Sequence, residues 1–390
     1  MTESASGSLA RSTPSLRAAR WATRAQFFCA GFLFATWGVH VPTVRAHYEI
    51  GEGALGIAML TAGIGALLGL SQAGRLVGRY GPKALAAVCG LSSALAIALL
   101  LSFPSYPALL GVMALFGVMS SVFDVAINAE ASELERREGR ALMSGFHALF
   151  SLGGMAGAGL GSLLMGQQVA AQTHLVGAAL LSAAAMGLAC LQMLPPEGGP
   201  AKASRFSLPR GSLLLLGVLA ALGLIAEGAM YDWSVLYLQK ELGSPQDISA
   251  LAYASFSGAM AAARFAGDRV RERFAAAPLM FCSAALAALS MAVVLVSGHE
   301  IVALIGFALV GVGLGNVVPV LFSAAARVPG TTPAHGIAAV SSVGYLGFMA
   351  GPPLIGMLAQ GTSLTAALFV VVVFSAVLAA GSRRALAGGV

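Results

Sequence analysis

Twelve separate apolar runs divide this chain, at about 24–44, 54–76, 83–103, 106–130, 140–166, 171–193, 211–238, 248–268, 274–297, 300–325, 335–359 and 362–382. Each approaches or exceeds the roughly 20 residues that a helix needs to cross the hydrocarbon core of a bilayer. Backbone polar groups cannot stay unpaired in lipid, so each run is expected to be a helix. The composition agrees: 58% of residues are hydrophobic and 10% charged, against about 25% charged in soluble proteins. Too few polar side chains exist to cover a water-facing surface. The expectation is an all-α membrane protein with the lipid bilayer as its solvent.

The formal charge of +6 does not point to a nucleic acid, because the basic residues stand singly or in short groups between apolar runs. Their distribution instead orients the chain. With the N-terminus placed inside, 20 of the 22 Lys and Arg residues fall on the inner side, and the two exceptions are Arg45 and Lys240. The bias of Lys and Arg toward cytoplasmic segments predicts both termini in the cytoplasm. The expected layout is a cytoplasmic tail over 1–23, six helices over 24–193 and a Pro/Gly-rich basic linker over 194–210. A second six-helix bundle follows over 211–382, then a tail over 383–390. Cys29, Cys89, Cys190 and Cys282 lie far apart in apolar runs, without metal or redox spacing, and read as small buried hydrophobes. The mixed-charge stretch SELERREGR, 132–140, reads as a solvated inner hairpin.

The two halves resemble each other. Ser151, Gly154, Gly157, Gly161 and Gly166 recur with the same spacing as Ser341, Gly344, Gly347, Gly351 and Gly356. The basic stretch GRLVGRYGPK after span two has a counterpart after span eight, with Arg75 matching Arg264. Two parallel six-helix repeats about a midplane site resemble the major facilitator superfamily. GRLVGRYGPK is similar to that family's loop between helices two and three through Gly74, Leu76, Arg79, Gly81 and Lys83, although Gly78 replaces its acidic residue. The resemblance implies a cytoplasmic gate built from Arg75, Arg79, Lys83, Arg264 and Asp268. FDVAINAE in span four is similar to the E-x-x-x-N pattern of fucose permease-like symporters. AEGAMYDWSVLYL and NVVPVLFS look like spans seven and ten of that group, within its bacterial YbjJ-type branch.

Few ionisable residues interrupt the apolar runs. An Asp at a helix centre costs about 2.5–3.5 kcal/mol on insertion scales, so a bundle-facing or water-facing position is expected. Asp124 and Asn128 share a helix face at i, i+4. His147 in span five lies at a similar expected depth, about 10 Å from the inner end at 1.5 Å per residue. The short connection makes spans four and five an antiparallel pair in which Asp124 and His147 could meet, either as a proton-coupling acid with a tuning imidazole or as a structural pair. Glu227, near mid-membrane in span seven, is the other coupling candidate. His40, Asp232, Trp233, Asn316, Trp37 and Tyr345 are cavity candidates. Each has an alternative structural role: packing for the aromatic residues, helix–helix bonding for Asn316, a loop contact for Asp232.

These features favour a proton-coupled carrier of a small polar solute, with sugar-like solutes among those expected, working by alternating access in a bacterial inner membrane. Its partners would be a small-molecule substrate and protons, its expected state a monomer, and neither cofactor nor metal is implied. A proton-driven exporter of amphipathic compounds is the main alternative, although the Gly-Pro pair typical of such exporters falls in span eleven rather than span five. A receptor or scaffold would be expected to carry a soluble domain, and none is read here. Enzyme chemistry is not expected: no nucleophile–base pair, metal spacing or nucleotide loop is present.

Overall fold

The computed structural model describes residues 14–139, 142–195, 210–329, 331 and 333–386, and every regular element among them is a helix. In chain order these are α1 Leu16–His47, α2 Glu52–Tyr80, α3 Pro82–Ala98, α4 Tyr106–Glu138, α5 Met143–Gly166 and α6 Ala171–Leu191. The second half holds α7 Ser212–Glu241, α8 Gln246–Arg273, α9 Ala276–Ser297, α10 Glu300–Leu314, α11 Val317–Ala325, α12 Pro333–Gly361 and α13 Leu364–Leu386. α10 and α11 are one rod interrupted at Gly315 and Asn316, so thirteen helices make twelve rods. Ten of the rods are long and apolar enough to cross a bilayer. The others are α3, with 17 residues, and α8, which carries Arg264, Asp268, Arg269, Arg271 and Arg273 in its latter part. Large apolar side chains such as Leu68, Leu188 and Val296 are 62–78% exposed, as a lipid-facing belt requires.

Local chemistry sets the helix ends. Ser15 Oγ accepts from the Ala18 amide and starts α1, eight residues before the expected span, so 16–23 is helix rather than tail. Gly139 ends α4 at φ 65° and Gly298 ends α9 at φ 59°, a conformation that favours glycine. Pro82 at the first position of α3 follows Gly81, and together they turn the chain between α2 and α3. The expected solvated hairpin at 132–140 is corrected: α4 continues to Glu138. There Glu135 caps α5 through the Leu142 and Met143 amides at 2.7 and 3.0 Å. Glu130 accepts from the Leu194 amide at 2.7 Å, and Arg20 pairs with Glu138 at 2.8 Å. Arg140, most of the expected linker and the chain ends at 1–13 and 387–390 lie outside the described residues.

The packing is duplicated. In the first half α5 packs on α1, α2 on α4, α3 on α4 and α6, and α1 on α6. In the second half the corresponding pairs are α12 on α7, α8 on α10, α9 on α10 and α13, and α7 on α13. The halves meet through α5 on α8 and through α2 on α12, which are the same contact in the two repeats; α1 against α7 adds a third. Glycines permit these approaches. A Cβ at Gly153 would strike the Phe28 carbonyl of α1, and one at Gly347 would strike Ala221 of α7. Each seam between halves also seats a methionine on a glycine: Met155 against Gly258, and Met349 against Gly63. Cys282 is the exposed exception among four free cysteines.

Candidate functional site

The start of α1 and the end of α13 lie at one end of the bundle, called here the near end. At its middle, α7 presents Glu227 and α8 presents Arg264, paired at 2.9 Å with side chains 10% and 14% exposed. Arg264 Nη1 also donates to Ser151 Oγ of α5 at 2.8 Å, and the Ser257 hydroxyl donates to the Ser151 carbonyl at 2.8 Å. The guanidinium therefore ties the first half to the second. Its Nε reaches toward the Gly315 carbonyl at 3.5 Å, where the break between α10 and α11 offers a helix C-terminus with partial negative charge.

Across the cavity, α4 presents Asp124 and Asn128. Asn128 Nδ2 donates to Asp124 Oδ1 at 3.1 Å and to the Asp124 carbonyl at 2.9 Å. Tyr345 of α12 stands within electrostatic reach of both Asp124 and Glu227, yet is 47% exposed. A residue between two interior carboxylates can show that exposure only by lining an open cavity. His147 is likewise exposed, lies within electrostatic reach of Arg264, and meets Phe27 edge-on at 5.2 Å. A cleft lined by Arg24, Leu142, Ser144, Gly145, Phe146, Arg264 and Phe265 opens this region at the near end.

The expected meeting of Asp124 and His147 does not occur. α4 and α5 barely touch, because α1 packs heavily on α5 and also on α4. The registers differ as well: Asp124 lies 14 residues from the end of α4 and His147 four from the start of α5, about 21 and 6 Å along the two helices. His40 is also displaced from the cavity: it is buried, with Nε2 2.9 Å from His174 Nδ1 of α6. Trp233 is fully buried against Gly356 of α12. Asn316 donates to the Ala263 carbonyl at 3.2 Å and so joins α8 to the helix break, the helix–helix alternative. Arg75, Arg79 and Lys83 bond within their own half, to Gln72, the Tyr80 ring and the Leu191 carbonyl, and among the described residues none engages the second half. Asp268 lies on α8, with its side chain outside the described part.

Above the cavity, toward the far end, the halves close in layers. Tyr231 of α7 meets Phe34 of α1 at 6.0 Å, Tyr253 at 5.0 Å and Phe256 at 5.0 Å. Trp37 of α1 lies beside Asp232 on α7; both are buried. These two candidates therefore belong to the seal rather than to the open cavity.

Comparison with known proteins agrees with this architecture. A sequence model described as Major Facilitator Superfamily matches residues 25–330 and 213–385. An uncharacterized MFS-type transporter of Yersinia pestis is 32% identical, over 93% of this chain and 94% of that protein. This chain belongs to the major facilitator superfamily. Membrane protein MosC of Rhizobium meliloti is 31% identical, over 92% of this chain and 88% of that one. The D-xylose–proton symporter structure superposes with a TM-score of 0.75 at 14% identity, over 94% and 97% of the chains. Nucleoside transporter NupG gives 0.69 at 16% identity, over 93% and 99%; at such identities the likeness is one of fold. The protein is a multi-pass membrane transporter and not an enzyme.

Arg264, expected at the cytoplasmic gate from its likeness to the loop after span two, pairs with Glu227 in the structure. Its signal was present: in AAARFAGDRVRER it stands five residues before Arg269, among Ala and Phe, and apart from the terminal basic group. The likeness to the loop after span two drew it to the helix end instead.

Proposed function

We propose that the protein is a proton-coupled secondary transporter of a small, polar, hydroxyl-bearing solute, working by alternating access. The observation that carries this reading is Asp124. It is a half-buried carboxylate on an open cavity, hydrogen-bonded to neutral Asn128, and among the described residues it forms no ion pair. A carboxylate held by a neutral partner can take and release a proton without breaking an ion pair. Glu227, fixed to Arg264, is less suited to that task. Asn128, Tyr345 and His147 supply neutral donors and acceptors for solute hydroxyls. The likeness of FDVAINAE to fucose permease-like symporters supports the same assignment, and sugar and nucleoside carriers among the fold neighbours suggest which solutes to test. If the termini are cytoplasmic, as the Lys and Arg distribution predicts, the near-end cleft corresponds to the inward-open state.

The test uses proteoliposomes and a panel of labelled pentoses, hexoses, polyols and nucleosides, with and without an imposed pH gradient. Asp124→Asn keeps size and hydrogen bonding but fixes the neutral form. Gradient-driven accumulation should be lost while solute-for-solute exchange survives. Full accumulation by well-folded Asp124→Asn protein would falsify the assignment.

A further inference from the structure

The only two basic residues assigned to the far side, Arg45 and Lys240, both reach one oxygen. Arg45 Nη2 lies 3.2 Å and Lys240 Nζ 2.7 Å from Glu52 Oε1. The Glu52 side chain is 7% exposed, whereas those of Arg45 and Lys240 are 33% and 36% exposed. Water thus reaches the cations and not the carboxylate. Glu52 opens α2, where the positive end of the helix dipole favours its charge. Arg45 and Glu52 belong to the first half and Lys240 to the second, so parting of the halves at this end breaks the Lys240 contact and leaves the Arg45 contact whole. A second tie runs parallel: Gln246 of α8 donates to Thr43 of α1 at 2.7 Å, and Thr43 is braced by His40 at 3.3 Å.

We propose that Glu52 is the latch of the far-end gate, held in position by Arg45 and closing on Lys240 when the cavity opens at the near end. This rests on the transport reading, because a latch matters only if the halves rock. The geometry orders the consequences. Neutralising Glu52 removes the anion and leaves two cations facing each other across the gate. Neutralising Lys240 removes one attraction without adding repulsion. Neutralising Arg45 spares the contact between halves.

The test is a distance measurement that needs no substrate. Spin labels at Ala46→Cys and Ser297→Cys, both exposed at the far end of opposite halves, go into a Cys282→Ser background; the other three cysteines are buried. Pulsed electron resonance should show a longer main distance in Glu52→Gln, a smaller shift in Lys240→Gln, and the parent distance in Arg45→Gln and Lys240→Arg. Lys240→Glu, a change at a partly exposed side chain, sets two carboxylates against each other across the gate and should lengthen the distance most. That arm decides the matter if Glu52→Gln fails to fold. Parent distances in folded Glu52→Gln or in Lys240→Glu would overturn the latch. If the distances shift as ordered while no solute in the panel is transported, the latch stands and the transport reading fails.

Discussion

At the residue scale, the Glu227–Arg264 pair makes a prediction independent of any solute. Breaking a buried ion pair on one side strands the other charge, at about 3–5 kcal/mol, whereas removing both is often close to neutral. Glu227→Gln and Arg264→Gln should each lower the unfolding midpoint in detergent. The double variant should recover most of that loss, as a thermal melt of the three proteins would show; additive losses would mean that the two side chains act separately. Single residues were also the least legible level of the sequence. Asp124, Asn128 and Glu227 were found because a polar atom in an apolar run is conspicuous. Their partners were not, because depth and helix rotation decide who meets whom. Asp124 and His147 look paired along the chain, yet α1 lies between their helices. His40 looks like a cavity residue until α6 brings His174 against it.

Elements were read more securely, since the bilayer leaves the chain one choice of secondary structure and nearly one length. Span existence followed from hydrophobicity, but helix ends did not. α4 runs past its apolar stretch on a charged extension whose Glu130 and Glu135 bind backbone amides, a role invisible in a hydropathy profile. Small residues carry the helix contacts, and α5 offers a comparison within one helix. At Gly153 a Cβ would meet the Phe28 carbonyl, while at Gly159 nothing lies within 4 Å. Gly153→Ala should therefore destabilise by about 1–3 kcal/mol through overpacking. Gly159→Ala should be neutral or gain about 0.5–1 kcal/mol from reduced backbone freedom. Equal midpoints for the two variants would count against close α1–α5 packing.

For the whole molecule, the Lys and Arg asymmetry predicts both termini in the cytoplasm. A phosphatase fused after Val390, active only outside the cytoplasm, should be silent, and a fluorescent protein at the same place should glow; the reverse pattern would invert the topology. The repeat was legible at this scale because the Ser/Gly spacing of α5 returns in α12, and the packing pairs are duplicated to match. The two seams where α5 meets α8 and α2 meets α12 have a mechanical consequence. Interlocked large side chains would make any displacement climb out of one packing minimum before entering the next. A glycine overlain by an unbranched, pliable methionine, as at Gly258 and Gly63, presents no such tooth. At those two points the halves could slide with van der Waals contact exchanged continuously. On the alternating-access reading proposed above, the pace of the cycle would then fall to the polar groups that grip across the halves, Ser151 with Arg264 and Ser257, and Glu52 with Lys240.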